Sequence, residues 1–136
     1  MKRLLLPLLA VAFAVPAFAQ PATPLDGDWK GRSDGGSCNA PLDYLISIDT
    51  GIVDGSAFDT TAHGPVPNLR HGAPPPPGPG LWQIHGVARG NSFSLLSVAS
   101  TKGEAQQRMK LDVTVQGGTL TVRESGGCGR TATLTK

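Results

Sequence analysis

The chain has 136 residues, and its formal net charge of +2 comes from Lys2 and Arg3, because the residues after position 19 carry equal numbers of basic and acidic side chains. This length predicts one domain at most. A neutral domain without clustered Lys and Arg lacks the positive surface that nucleic acids and anionic lipids require, so both are excluded as default partners.

The first 19 residues have the pattern of a secretory signal peptide. Two basic residues precede an apolar stretch, and Ala17-Phe18-Ala19 supplies the small-x-small motif of a cleavage site. The apolar stretch is shorter than the roughly 20 residues of a membrane span, and Gln20 rather than a cysteine follows the motif. We therefore expect residues 20–136 to form one exported domain, periplasmic or secreted, without membrane attachment after cleavage.

Glycine and aspartate interrupt the rest of the chain about every eight to twelve residues, a rhythm typical of all-β sandwiches and barrels. Between the interruptions apolar and polar residues alternate, most clearly over 109–116. Gly117-Gly118 then makes a two-residue turn, which predicts a hairpin. No helix is predicted after Ala19. The predicted strands are 28–32, 42–48, 52–58, 81–88, 92–100, 109–116, 119–124 and 130–135.

Short connections make neighbouring strands antiparallel, so the expected strand order is a meander. A meander of about eight strands eliminates its exposed edges by closing into an up-and-down barrel. The expected fold class is therefore all-β, with a small antiparallel up-and-down meander barrel as the predicted architecture. A two-sheet β-sandwich is the alternative that the pattern leaves open.

The chain has two cysteines, Cys38 and Cys128. In an exported protein thiols meet an oxidising compartment, so one disulfide between them is expected. The pairing agrees with a barrel, because Cys38 follows the first predicted strand, Cys128 precedes the last, and closure makes those strands neighbours. A catalytic thiol with a histidine partner is the alternative. Neither cysteine has the C-x-x-C spacing of a zinc ribbon or haem attachment site.

A proline-rich segment, residues 59–80, interrupts the meander and contains four consecutive prolines at Pro74 to Pro77. Prolines lack the N–H donors that a strand needs, so a long exposed loop is predicted here. Loops of this length are often functional, which makes this segment the expected rim of a specific binding surface. A polyproline II stretch that docks into aromatic grooves of other proteins is the alternative.

Asp49-Thr50-Gly51 resembles the Asp-Thr-Gly triplet of aspartic peptidases, in which two aspartates share one proton and activate a water. Ile52 stands where that family has a small residue, and the chain has no second triplet of this kind. A hairpin turn favours the same residue types for backbone reasons. No serine lies in a G-x-S-x-G or S-x-x-K motif. We expect the protein not to be an enzyme, with the peptidase as the alternative.

Three histidines could ligate a metal together with Asp59 if the proline-rich segment folded back over the strand that carries His85. The other two are His63 and His71, and the spacings of eight and fourteen residues define no ligand geometry. Metal sites usually show closer pairs on rigid elements. We therefore expect no metal and no cofactor.

Five aromatic residues follow the signal peptide, and each lies in a predicted strand: Trp29, Tyr44, Phe58, Trp82 and Phe93. Core packing accounts for them, because a small barrel must fill its interior. A ligand cavity is the functional alternative, with Trp29 or Trp82 at its floor or mouth. The candidate ligand-binding residues are Trp29, Tyr44, Trp82 and His85.

Gly27-Asp28-Trp29 resembles the Gly-x-Trp that opens lipocalin and avidin-type barrels, in which the tryptophan packs across the closed end. The segments LDGDWKGR, ISIDTGIVDGSA, LDVTVQGGTLTV and GGCGRTATLTK also resemble small exported bacterial domains of unknown function. The resemblance implies a small barrel in an exported bacterial protein, with Arg123 or Arg130 as the arginine that contacts the tryptophan. The second lipocalin signature is missing, and a disulfide-bearing peptidase-inhibitor barrel with the same opening is a related alternative.

Together these features predict an exported, non-enzymatic β-barrel module that binds a small apolar molecule or a periplasmic protein. The alternative is a protein-interaction or peptidase-inhibitor-like module that acts through the proline-rich segment. The two hypotheses place the binding surface differently, in the barrel at Trp29 or Trp82 or on the prolines at Pro74 to Pro77.

Overall fold

A computed structural model of the chain describes residues 22–59, 80–99 and 107–136. The predicted signal peptide lies outside the described residues, as does the proline-rich segment apart from its end residues Asp59 and Gly80. The described residues form eight strands and one three-residue 3₁₀ helix, Gly36–Cys38. The strands are β1 (Gly27–Arg32), β2 (Asp43–Asp49), β3 (Ile52–Phe58), β4 (Leu81–Val87), β5 (Ser92–Ala99), β6 (Gln107–Gln116), β7 (Thr119–Ser125) and β8 (Thr131–Leu134).

All eight predicted strands are confirmed, and their boundaries shift by two residues or fewer. They form one sheet in the order β1 to β8, and every neighbouring pair is antiparallel. The first and last strands also meet, through the bridges Lys30↔Thr135 and Ser33↔Ala132. The fold is therefore a nearly closed up-and-down barrel, as the meander predicted, and not a two-sheet sandwich.

The alternating pattern of the sequence places apolar residues on the inside of the barrel. In β2, Tyr44, Ile46 and Ile48 are buried, while the residues between them are partly exposed, because successive side chains of a strand point to opposite faces. The core is mainly aliphatic. Its members are Trp29, Leu42, Tyr44, Ile46, Ile48, Val53, Ala57, Ile84, Leu95, Met109, Leu111, Val113, Leu120, Val122, Ala132 and Leu134.

The two ends of the barrel differ in how the strands are connected. At one end, which we call the turn end, the connections are the tight turns 50–51, 88–91 and 117–118. At the opposite end, which we call the loop end, the strands are joined by the longer connections 33–42, 59–80, 100–106 and 126–130. Longer connections leave room for a site on top of a rigid strand framework.

Trp29 packs inside the barrel toward the turn end. Its side chain is buried, and the indole Nε1 donates a hydrogen bond of 2.8 Å to the carbonyl oxygen of Leu25. The ammonium of Lys136 lies 4.9 Å from the ring centroid and donates a hydrogen bond of 3.1 Å to the carbonyl oxygen of Pro24. The two chain segments that flank the barrel thus meet over one aromatic ring, and a cation–π contact adds to the packing.

The cation on Trp29 corrects the expectation that Arg123 or Arg130 would fill this role. Arg123 lies on the outer face of β7 and is exposed, so its side chain points away from the barrel interior. Arg130 lies at the loop end and pairs with Glu124. Lys136 reaches the ring because it follows Leu134 by two positions and therefore continues the inward face of β8.

The predicted disulfide between Cys38 and Cys128 is present, with the two Cα atoms 5.3 Å apart. It joins the connection after β1 to the connection before β8, and a backbone hydrogen bond of 2.8 Å from Ser37 to the carbonyl oxygen of Cys128 lies beside it. No free cysteine remains, which rules out the alternative of a catalytic thiol. The bond fixes two of the longer connections at the loop end to one another.

The closing contact between β1 and β8 depends on the absence of a side chain at Gly31. A Cβ atom at this position would lie 2.2 Å from the carbonyl oxygen of Thr133 and 2.8 Å from Leu134 Cδ2. We expect Gly31→Ala to lower the free energy of unfolding by about 1–3 kcal/mol, since the two strands must move apart. Urea unfolding monitored by circular dichroism measures this. Thr133→Ala, on the exposed face of the same contact, is the control, and equal losses in both variants would contradict the prediction.

Candidate functional site

A pocket of about 580 Å³ opens at the loop end of the barrel. Its walls come from three sources: the start of β4, the start of β6, and the chain between the end of β7 and the start of β8. The described lining residues are Trp82, Gln107, Arg108, Met109, Lys110, Ser125, Gly127, Cys128 and Arg130.

The pocket exists because β6 is longer than its neighbour β7. Pairing between these strands begins at Lys110↔Ser125, so in the described structure the first three residues of β6 pair with β5 alone. The chain leaves β7 at Ser125 and turns through the disulfide-bonded Cys128 before it enters β8, so no residue of β7 pairs with the first three residues of β6. The pocket lies beside this overhang, and its described lining includes Trp82 and Met109.

The inner wall of the pocket is apolar. Trp82 faces the interior. Its partner on β3 is Ala57 and its partner on β5 is Ala99, so large and small side chains alternate along this row of paired positions across the strands. Tyr44 is the next member of the row beyond Ala57. Two alanines leave space around the indole, so Trp82 is half-buried and one part of its surface faces the pocket. Met109 packs nearby and is buried.

Arg130, which lines the pocket, belongs to a buried ion pair. Arg130 Nη1 donates a hydrogen bond of 2.8 Å to Glu124 Oε1, and the backbone N–H of Arg130 donates one of 3.0 Å to Glu124 Oε2. The side chain of Glu124 is 0 % exposed and that of Arg130 is 10 % exposed. Both carboxylate oxygens are therefore satisfied by one residue, which makes desolvation of the charges tolerable.

Arg130 also holds the connection between β1 and β2 in place. Its Nε donates a hydrogen bond of 2.6 Å to the carbonyl oxygen of Ala40. Tyr44 lies in the same half of the barrel, and burial, assisted by the negative charge of Glu124, raises the pKa of its hydroxyl. The phenol is accordingly neutral wherever the barrel is folded under ordinary conditions.

The outer rim of the pocket is basic. Lys110 Nζ lies 2.9 Å from Asp112 Oδ1, and Ser94 donates a hydrogen bond of 2.9 Å to the same oxygen. The hydrogen bond from Lys110, followed by that from Ser94, lowers the pKa of Asp112. Arg108, by contrast, has no carboxylate partner in the described part of the chain. Its exposed guanidinium stands at the rim, and no described carboxylate neutralises its charge.

The structure places the four predicted ligand-binding residues in three environments. Trp29 and Tyr44 are buried in the core, and Trp82 lines the pocket. His85 points outward from β4, where its Nδ1 lies 2.8 Å from Asp54 Oδ1 and its side chain is 52 % exposed. Tyr44 and Trp82 share one interior row, whereas Trp29 lies toward the opposite end and His85 on the other face of the sheet.

Sequence reasoning missed the basic and sulfur-containing parts of the pocket. One signal was present: Glu124 occupies an inward position in the alternation of β7, where an apolar residue is expected. A charged residue at such a position indicates a buried partner. No comparable signal marks Arg108 or Met109, because the overhang of β6 depends on where β7 ends.

Asp49-Thr50-Gly51 forms the hairpin between β2 and β3. Thr50 has a φ of 50° and Gly51 a φ of 85°, the left-handed pair that a two-residue hairpin turn requires. Asp49 is exposed at the end of its strand. The turn accounts for the residue types of the triplet, so the resemblance to aspartic peptidases needs no catalytic explanation.

The hypotheses of a histidine metal site and of a proline-rich docking segment concern mainly residues outside those described. His63 and His71 lie there, and so do Pro74 to Pro77. Within the described ranges, no group of three or more His, Cys, Asp or Glu residues could hold a metal ion. The expected absence of a metal and the alternative of a protein partner that binds the prolines therefore stay predictions.

Comparison with known protein families, with curated proteins and with solved structures finds no match to this chain. The likeness to lipocalin and avidin-type proteins is supported as far as the barrel architecture, and a family relationship is not shown. In the described ranges, no helix has the length and apolar character needed to cross a membrane.

Proposed function

We propose that the protein is an exported, non-enzymatic barrel that binds a small organic molecule in the pocket at the loop end. The observation that carries this proposal is the pocket itself, about 580 Å³ in volume, with Trp82 and Met109 on its inner wall. Ligand sites in proteins are typically concave, mainly apolar and supplied with few polar groups. This pocket is concave and has an apolar inner wall, and its rim carries more polar and cationic side chains than that pattern.

The framework around the pocket supports a binding role because it is held in position before a ligand arrives. Strands supply Trp82 and Met109, and the disulfide together with the contact from Arg130 to Ala40 holds the neighbouring connections. A site built on rigid elements loses little conformational entropy on binding. The disulfide also supports export, since such bonds persist in oxidising compartments.

Trp82→Leu tests the proposal with phenylnaphthylamine, a neutral fluorescent probe. We expect the dissociation constant of the dye to be about tenfold or more higher for the variant than for the unmodified protein, because the variant loses most of the aromatic surface in the pocket. Titration of the purified protein, followed by dye fluorescence, measures this. Phe93→Leu is the matched control, since Phe93 is a half-buried aromatic residue beside the same core but outside the lining of the pocket. Equal affinity in Trp82→Leu and the unmodified protein would refute the proposal.

Native mass spectrometry of the protein purified from its own export compartment provides a second test. We expect a retained small molecule that dissociates on activation in the gas phase, and Trp82→Leu should retain less of it. Incubation of the protein with the isolated molecule should return it chemically unchanged, because the proposed role is binding without turnover. Conversion of the molecule to a product would contradict the non-enzymatic part of the proposal.

A further inference from the structure

We infer that the ligand of this pocket is a small organic anion with a single negative charge and a flat apolar body. Its charged group binds the guanidinium of Arg108 at the rim, and its apolar body lies against Trp82 and Met109. This inference rests on the proposed function and adds the chemical class of the ligand.

The charge balance of the pocket supports a single negative charge. Three cationic side chains line it, and no carboxylate belongs to the described lining. The charge of Arg130 is neutralised by Glu124 and that of Lys110 by Asp112. Arg108 has no such partner within the described ranges, so the described pocket carries one unneutralised positive charge.

The chemistry of Arg108 favours an oxyanion over other groups. A guanidinium is planar and presents paired N–H donors that match a carboxylate, sulfate or sulfonate group. Because Arg108 has no ion pair with any described residue, an anion binds it without displacing a described carboxylate. A cationic ligand would face an unneutralised like charge, and a neutral ligand would gain only from the apolar wall.

The alternation of β6 orients such a ligand. Arg108 pairs with Val98 on the outer face of the sheet, whereas Met109 pairs with Ser97 and faces the interior. The charged and apolar parts of the pocket are therefore separated in depth, with the cation at the rim and Trp82 farther in. A molecule with one anionic group at the end of an aromatic or aliphatic body fits this order, with the anionic group left near water.

Two dyes that share an arylaminonaphthalene body but differ in charge test the inference. Anilinonaphthalene sulfonate carries one negative charge, and phenylnaphthylamine carries none. We expect the anionic dye to bind about tenfold tighter or more, the effect of one charge-assisted hydrogen-bonded contact. Arg108→Gln should abolish most of that difference by lowering the affinity for the anionic dye far more than that for the neutral dye, and added salt should weaken binding of the anionic dye to the unmodified protein but not to Arg108→Gln.

Two control variants separate the pocket from the rest of the surface. Arg123→Gln removes the same charge from the outer face of β7, away from the lining of the pocket, and should change neither affinity. Leu96→Ser removes one of the exposed apolar side chains of the outer face and should likewise leave both dyes unaffected. Unfolding curves recorded for every variant verify that the anionic dye reports on the folded protein.

The outcomes distinguish the inference from the proposed function. If the neutral dye binds in a manner that depends on Trp82 and the anionic dye binds no tighter, the inference is wrong and the proposed function stands. If Arg123→Gln weakens the anionic dye as much as Arg108→Gln does, the attraction is unspecific and the inference is again wrong. If neither dye binds in a manner that depends on Trp82, the proposed function fails and the inference fails with it.

Discussion

Replacement of Cys38 and Cys128 together by serine is expected to lower the free energy of unfolding by about 4–5 kcal/mol. The two cysteines are 90 residues apart, and the bond between them removes conformational entropy from the unfolded chain in proportion to the logarithm of that loop length. Urea unfolding of the double variant and of the unmodified protein measures the difference.

Reductant provides the control for the disulfide prediction. It should reduce the stability of the unmodified protein to that of the double variant and leave the double variant unchanged. In the folded state the bond also joins the connection after β1 to the connection before β8, beside the hydrogen bond from Ser37 to Cys128. A loss below about 1 kcal/mol in the double variant would mean that the unfolded chain is compact enough to make the bond redundant.

Glu124→Gln is expected to cost about 3–5 kcal/mol, because it leaves the largely buried guanidinium of Arg130 without a counter-charge. Glutamine keeps the shape of the side chain, so the loss reports on charge and not on packing. The measurement is again the free energy of unfolding from urea titration. A loss as small as that of a surface ion pair would show that water reaches Arg130 in the folded protein.

Two controls define the origin of that loss. Arg32→Gln breaks an ion pair with Asp43 on the outer face, where the arginine side chain is 41 % exposed, and should cost about 1 kcal/mol or less. A double variant with Glu124→Leu and Arg130→Met removes both buried charges and should recover most of the stability, since apolar replacement of a buried pair is often neutral. The double variant also removes the hydrogen bond from Arg130 to Ala40, so a failure to recover would assign the remaining loss to that hydrogen bond.

The disulfide, the buried ion pair and the pocket beside the β6 overhang all lie at the loop end. Cys128 and Arg130 line the pocket and also hold the connections around it. We therefore expect stability and the proposed binding to be coupled there, and the variants chosen to test binding, Trp82→Leu and Arg108→Gln, avoid both stabilising contacts. We expect them to separate the two properties.

Local patterns predicted most of the fold. The alternation of apolar and polar residues located β2 and β6 and their buried faces, and Gly117-Gly118 located a hairpin. The regular spacing of glycine and aspartate indicated a series of short strands joined as a meander. The disulfide also followed from the sequence, because the order of a closed meander brings its first and last strands together and the signal-peptide pattern predicted an oxidising compartment. These features depend on residues close in the chain or on a topology that tight turns dictate.

The candidate site was predicted in part. Trp82 lines the pocket as one of the two tryptophans proposed for a cavity floor or mouth, whereas Trp29 packs toward the other end and His85 points outward. The face that a residue occupies follows from alternation, and His85 differs from Trp82 by an odd number of positions. Whether an inward residue reaches a pocket depends on how the strands around it end, and alternation carries no information on that.

The sequence by itself determined the strand positions, the antiparallel order, the closing disulfide and the inward faces of this barrel. The tertiary structure decided that Lys136 and not an arginine contacts Trp29, that Glu124 and Arg130 neutralise one another in the interior, and that the overhang of β6 opens a pocket beside Arg108. The physical reason is the range of the interactions. Alternation and turns act between residues near in the chain, whereas these contacts join distant segments whose relative positions exist only after the barrel has closed.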